Sequence, residues 1–477
     1  MRVSEYYNLG RTQPSLDFVD VDIFGDSRIF VDPYALRLLP SSWGDECVFL
    51  IQDLFRRVLK LINEGHNQDA RTLLAVLREP NETHLGLSRE RARGRALGRS
   101  SARDVWQALS QSEAVASGLL EELEDTILMV EGISSDIISD ITTNIIRKPL
   151  IEYTQSMCEY YGIPLQIDVN SGPLWNPTGK NWYSEFVRLP VTDWSKLLLV
   201  PKVIVRRRME YDVNEYYGDY ILEHLRDVEL SANTELVRLL RDGRRRVTKK
   251  DLKAKYGRGK ATVVRETRRH PELLQQYRRD KRVGYRPPMD HGDIAEAEGT
   301  PNPDWDALLR EVTELPTGRD TASAYEKGIE ALLTAIFYPC LTNPQVQLEL
   351  HEGRKRVDIT YTNAATDGFF RWLSQHYSAP HIFVECKNYN GDPGNPELDQ
   401  LSGRFSPSRG QTGILVCRTL TNKELFIQRC RDTADDQRGF IIPLDDDDLI
   451  SIVDERRDVL HIPQFRFLKE RFDRLIM

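Results

Sequence analysis

Apolar positions recur at helical spacing through much of the first 160 residues. From about Glu46, the residues Val48, Ile51, Phe55, Val58, Leu59 and Ile62 fall on one stripe, and Gly65 suits a C-terminal cap, which predicts a long helix. Similar stripes predict helices over 112–131 and 135–161. Around residues 21–33, VDIFGDSRIFVDP alternates on both sides of Gly25-Asp26 and predicts a β-hairpin. Strand-like runs follow at 164–169, 183–189 and 197–205, the last interrupted by Pro201. The pattern for 1–205 is α+β with helices dominant, a region suited to sensing or partner contact.

Over 206–286 the periodicity is helical but the composition turns basic. Between Arg241 and Arg286, Lys and Arg exceed Asp and Glu by about thirteen. Thr248 can cap a helix with Asp251 three residues on, Gly257 can stop it, and a second short helix is expected over 260–269. This is the outline of a helix-turn-helix. Its candidate phosphate contacts are Arg244, Arg245, Arg246, Lys249, Lys250, Lys253, Arg258, Lys260 and Arg265. Residues 287–304, rich in proline and acids, read as a linker.

Beyond the linker, 305–477 forms a third unit with a legible order. A helix over 322–337 precedes strands at 345–351, 356–362 and 381–387, a helix at 396–405 and a strand at 412–417, an αβββαβ succession. The fold class expected is α/β in the C-terminal domain, preceded by the mainly helical α+β region.

At 477 residues the chain exceeds what one core organises, and 40% hydrophobic with 29% charged residues describes an ordinary globular composition. There is no apolar run of about 20 residues and no basic-then-apolar leader, so no membrane partner is expected and the cytoplasm is the expected location. Six scattered cysteines without a C-x-x-C pair argue against a disulfide framework or structural zinc, and no H-E-x-x-H occurs. The net charge of -8 gives no hint of nucleic acid, but screening over about 8–10 Å makes a local basic patch matter more than the sum. A second arginine-rich stretch, SRERARGRALGRSSAR from Ser88, lacks the G-K-[ST] of a nucleotide P-loop. The acidic run 445–448 reads as a solvated helix start.

Chemistry concentrates in two strands. In RKRVDITYT, alternation places Arg356, Asp358 and Thr360 opposite Val357, Ile359 and Tyr361; in HIFVECKNY, it places Phe383, Glu385 and Lys387 on one face. Glu385 and Lys387 then stand about 6–7 Å apart. Charges inside so apolar a strand are costly unless paired or metal-bound. If the two strands are neighbours, Asp358 and Glu385 converge as hard oxygen ligands for Mg²⁺ or Mn²⁺. Lys387 would then orient a nucleophilic water and offset charge on a phosphate that the cation polarises. The bland alternative is a structural Glu385–Lys387 pair at a sheet edge.

V-D-I followed by V-E-C-K-N-Y resembles the PD-(D/E)XK nuclease superfamily, closest in flavour to Mrr-like type IV restriction endonucleases, over about 321–444. The resemblance implies a restriction-endonuclease-like fold and DNA cleavage in restriction or anti-phage defence. It makes Glu326, in YEKGIEALLTAIF, an additional metal or water ligand, with Glu330 one turn on as the competing candidate. It also matches Gln400, in PELDQLSGRF, to a glutamine many members carry, and points Arg404 at the substrate phosphates. Val357 stands where the superfamily name has proline. Two alternatives stay open: a non-cleaving DNA-binding regulator or assembly subunit of a defence complex, and a structure-selective or RNA-directed nuclease. Cutting both strands would imply a homodimer.

Overall fold

A computed structural model describes the chain except residues 87–104, 285–286, 351–354, 389 and 458–462, and except the side chains of 346–350 and 355–357. The arginine-rich stretch from Ser88 therefore lies outside the described residues. The protein is mixed α/β, and its apolar side chains condense into two large clusters. One gathers residues from Val3 to Ile294 together with Tyr338; the other runs from Leu308 to Leu475. Among the described residues no helix is long and apolar enough to cross a membrane.

The first cluster is built on α1 (Ser42–Asn63), α2 (Ser135–Ile145) and α3 (Arg147–Tyr161). The stripe on α1 is buried at Ile51, Phe55 and Val58 as expected, and the Ser41 hydroxyl caps the helix by accepting from Gly44 N. The helix expected over 135–161 breaks at Ile146, and the one over 112–131 reduces to two short helices, Glu113–Ala116 and Asp125–Met129. No hairpin forms at 21–33. Phe30–Val31 pairs instead with Val205–Arg206, an antiparallel ladder between segments far apart in sequence.

The basic stretch does not make a core of its own. It contributes α4 (Lys249–Tyr256), α5 (Lys260–Arg269) and α6 (Pro271–Val283), whose Leu252, Val263, Leu273 and Tyr277 join the first cluster. Two of its cations are consumed in docking α6. Arg278 reaches Asp125 Oδ2 at 2.5 Å, and Lys281 reaches Glu210 at 3.1 Å and Glu215 at 2.7 Å. The expected linker over 287–304 is likewise structured. Asp290 caps α7 (His291–Glu298), and Met289 and Ile294 are buried against the N-terminal body. The four prolines fall outside α7, and its few apolar residues all face inward, so a segment that looks polar still docks.

In the C-terminal domain α8 (Trp305–Thr313) leads into α9 (Ala322–Phe337), which is buried almost continuously from Ile329 to Phe337. The five-stranded sheet follows: β1 (Leu341–Leu350), β2 (Lys355–Asn363), β3 (His381–Lys387), β4 (Thr412–Cys417) and β5 (Phe440–Leu444). Its order is β5-β4-β3-β2-β1, antiparallel from β1 to β3 and parallel from β3 to β5. All six residues of β4 are buried, the continuous apolar run of a central parallel strand. α10 (Gly368–His376) stands between β2 and β3, α11 (Asn395–Ser402) and α12 (Lys423–Asp435) make the parallel crossovers, and α13 (Asp446–Arg457) and α14 (Arg466–Ile476) close the domain. The expected αβββαβ order is therefore interrupted by α10 and extended beyond β4.

A polar and aromatic seam joins the two bodies. His291 Nε2 bonds Ala335 O at 2.8 Å, the Tyr338 hydroxyl donates to Met289 O at 2.8 Å, and Asn343 N donates to Asp17 Oδ1 at 3.0 Å.

Candidate functional site

β2 and β3 pair as Ile359 with Val384 and Thr360 with Phe383. One step further along this register stands Asp358 opposite Glu385. Here the backbone ladder gives way to a side chain, because Asp358 Oδ2 accepts the Cys386 N–H at 2.8 Å. The two carboxylates thus leave the sheet at neighbouring positions.

Glu385 is 1% exposed and is compensated on both oxygens. Lys387 Nζ bonds Oε1 at 2.6 Å, and the Arg404 guanidinium closes on Oε2. Lys387 also donates to Gln400 Oε1 at 3.4 Å, which brings the expected glutamine of α11 into the group. Burial pushes the Glu385 carboxyl up, the facing Asp358 adds to this, and Lys387 and Arg404 oppose it.

From the second turn of α9, Glu326 faces the same space. Burial, then the negative charges of Asp358 and Glu385, push its carboxyl up to about 7. Glu330 points elsewhere. It is paired with Arg11 of the N-terminal body and accepts from Thr334 Oγ1 at 3.1 Å, so it belongs to the seam between the bodies. Of the two competing acids, Glu326 is the one the fold brings to Asp358 and Glu385.

Arg404 departs from expectation. It lies past the end of α11 and turns inward, 5% exposed, so it is a partner of Glu385 rather than a surface contact for phosphate. The acidic run also departs. It does open α13, but Asp445 and Asp448 are buried, with Lys423 and Arg471 as partners, and Asp446 pairs with Arg418 at 2.9 Å. That arginine leads to a residue sequence patterning missed. Asn388, directly after β3, donates to Thr321 Oγ1 at 2.9 Å and to the carbonyls of Pro316 and Gly318 at 3.2 Å, while Arg418 donates to its Oδ1 at 3.3 Å. It ties the end of β3 to the start of α9 and so sets Glu326 against Glu385. Only its place beside Lys387 in E-C-K-N hinted at this.

The donor chemistry suits a hard divalent cation, since three carboxylates from α9, β2 and β3 repel one another across one space. Among the described residues, however, no group of three His, Cys, Asp or Glu side chains forms a ready-made metal cage. The two oxygens of Glu385 are already spent on cations, which leaves Asp358 and Glu326 as the carboxylates of the site without a basic partner of their own among the described residues.

The basic helices are some distance along the chain from this site and only partly available. Thr248 caps α4 as expected, accepting from Asp251 N at 3.2 Å, and Gly257 ends it. Lys260 is structural: its Nζ donates to Val130 O at 2.7 Å and Ile133 O at 2.8 Å, and burial pushes it down to about 8. Arg244 pairs with Asp242, Lys249 with Asp219 and Glu223, and Arg265 with Glu266, while Arg245 donates to Leu230 O and Lys253 sits over the Tyr217 ring. Arg246, Lys250 and Arg258 are exposed without an ion pair among the described residues.

Residues 8–212 match the family model of a domain of unknown function, DUF8370. That similarity covers most of the N-terminal body and stops ahead of the basic helices and the sheet. No curated protein and no solved structure matches the chain.

Proposed function

We propose that the C-terminal domain is a metal-dependent endonuclease of the PD-(D/E)XK type that hydrolyses DNA phosphodiester bonds, in restriction or anti-phage defence. The supporting observation is the convergence of Glu326, Asp358, Glu385, Lys387 and Gln400 from four separate elements at one end of the β2–β3 pair. The order of those elements, with α10 inserted, supports the reading because it follows the αβββαβ succession that the resemblance implies.

Mg²⁺ or Mn²⁺ would be held by Asp358 and Glu326, with Glu385 the third candidate carboxylate, and would supply Lewis-acid stabilisation of the scissile phosphate. Burial and the charges of Asp358 and Glu385 push the Glu326 carboxyl up, a repulsion that a cation held between these carboxylates would relieve. The Lys387 ammonium, steadied by Glu385 and Gln400, offsets charge that develops on the phosphate and orients the nucleophile. Arg404 is a positioning residue that fixes Glu385 and, through it, Lys387. A homodimer would present two such sites to the two strands.

One observation favours a second reading. With Lys387 and Arg404 both paired with Glu385, neither is free to assist cleavage, and the chain would then be a non-cleaving regulator or assembly subunit that holds DNA through exposed cations elsewhere. Plasmid cleavage with Mg²⁺, Mn²⁺ or EDTA separates the two. Metal-dependent nicking by the wild type, lost in Asp358→Ala and Lys387→Ala, supports the nuclease. DNA binding without cleavage under any metal supports the non-cleaving subunit, and a panel of branched DNA and RNA substrates tests the structure-selective and RNA-directed alternatives.

A further inference from the structure

A cavity of about 580 Å³ opens in the N-terminal body, away from the sheet, where residues 75–82 meet the junction of α2 and α3 and the segment 170–184. Its charged lining is Arg78, Arg147 and Lys196 against Glu79 and Glu82. Glu82 is already neutralised by Arg147, whose Nη2 also donates to Asn144 Oδ1 at 3.1 Å. The remaining nitrogen of that guanidinium, Nε, is buried with no hydrogen-bond partner among the described residues, in a residue 4% exposed.

Gly172 shapes this arrangement. It adopts φ +77°, and a Cβ there would stand 3.2 Å from Arg147 Nη1 and 3.5 Å from Nε, so any side chain would crowd the guanidinium. Across the cavity Lys196 donates to Asn170 O at 2.7 Å and has no carboxylate partner among the described residues. Burial and then Arg147 push Lys196 down to about 8, and burial pushes Arg147 down to about 10. Arg78 is exposed, with no ion pair among the described residues. The lining itself carries three cations against two carboxylates, and an unmet buried donor is costly. Beside these cations stands Trp182, held by a bond from its Nε1 to Leu73 O at 3.0 Å.

We propose that this cavity is a nucleotide-binding site in which Lys196 and Arg78 take a phosphate group, the buried Arg147 guanidinium adds its charge behind them, and Trp182 takes the base. Glu79, at the same cavity and beside Asp136, limits the charge it accepts and favours a single phosphate over a triphosphate. A free mononucleotide and the phosphorylated end of a nucleic acid chain share this chemistry. The assignment is independent of the nuclease reading.

The test is calorimetric titration of the full-length protein with AMP, GMP, CMP and UMP, the matching nucleosides, inorganic phosphate, and a single-stranded oligonucleotide with and without a 5′-phosphate. At least one phosphorylated probe should bind about tenfold or more tightly than its dephosphorylated counterpart, as a charge-assisted contact implies. Lys196→Ala should weaken it about tenfold and Arg78→Ala several-fold, with Lys196→Arg restoring most of the loss and Lys60→Ala, on α1, without effect. Melting curves show whether the variants keep their fold. Binding of mononucleotides identifies a free nucleotide as the ligand, and binding of the phosphorylated oligonucleotide alone identifies a chain end. Equal affinity for phosphorylated and dephosphorylated probes, no binding of any probe, or unchanged affinity in both folded variants overturns the assignment.

Discussion

Arg404 and Glu385 meet in the interior of the C-terminal domain, the guanidinium from beyond α11 closing on the carboxylate of β3. Removing one partner of a buried pair leaves an uncompensated charge, which costs about 3–5 kcal/mol. Arg404→Met should therefore lower the urea midpoint substantially, and adding Glu385→Gln should recover part of the loss. Were Arg404 instead bound to phosphate, its removal would spare stability and reduce the salt dependence of DNA binding by about one ion. The expected result is a stability loss with an unchanged salt slope.

Glu326 and Glu330 lie one turn apart on α9 but serve different neighbours. Glu326→Gln should abolish metal-dependent cleavage, by about 10²–10⁴-fold, while leaving the fold at least as stable, since it removes a carboxylate crowded by Asp358 and Glu385. Glu330→Gln should leave cleavage within a few-fold and lower the melting temperature, because Arg11 loses its buried partner at the seam. Cleavage rates and melting curves of the two variants, measured side by side, check the assignment. The opposite pattern would make Glu330 the acid of the site.

The two strands and the helix that carry the candidate site were legible because their patterns are strong and local. α9 and β3 occupy the expected residues, and period-2 alternation put Asp358, Glu385 and Lys387 on the faces that pairing brings together. What alternation cannot encode is depth. Arg404 follows a polar helix end and was expected at the substrate phosphates, yet it turns into the core to meet Glu385, buried by a separate strand. Non-local pairing was equally hidden: Phe30–Val31 satisfies its backbone with Val205–Arg206, about 175 residues on, so a local hairpin pattern had a better partner elsewhere. α10 went unseen because GFFRWLSQH is short, although Phe369, Phe370 and Leu373 are buried at helical spacing.

Asp140 is pushed up to about 8 by burial and then by Asp136, Glu79 and Asp26, which share its surroundings. Unfolded, the carboxyl returns to its ordinary value near 4. Between those limits the folded protein holds a proton that the unfolded chain lacks, so stability falls as pH rises from about 4 to 8 and is flat with respect to this group outside that window. Urea midpoints should fall between pH 5 and pH 8, and Asp140→Asn should flatten that slope while raising the midpoint at pH 8. A midpoint at pH 8 unchanged by the substitution would show that the cluster carries no such penalty.

The basic helices invite a test that separates a structural cation from one that binds DNA. Lys260 spends two of its donors on the carbonyls of Val130 and Ile133, holding α5 to the end of the helix Asp125–Met129 and the loop that follows it. Lys260→Met should lower the melting temperature without changing the salt dependence of DNA binding. Arg246, Lys250 and Arg258 make no such bonds among the described residues, so replacing all three with alanine should leave the fold intact. If α4 and α5 grip DNA, the slope of log affinity against log salt should shrink by about 0.9 for each phosphate that is no longer neutralised, about 2.7 for three. An unchanged slope in the folded triple variant would remove these helices from the DNA interface and leave the grip to the sheet domain itself.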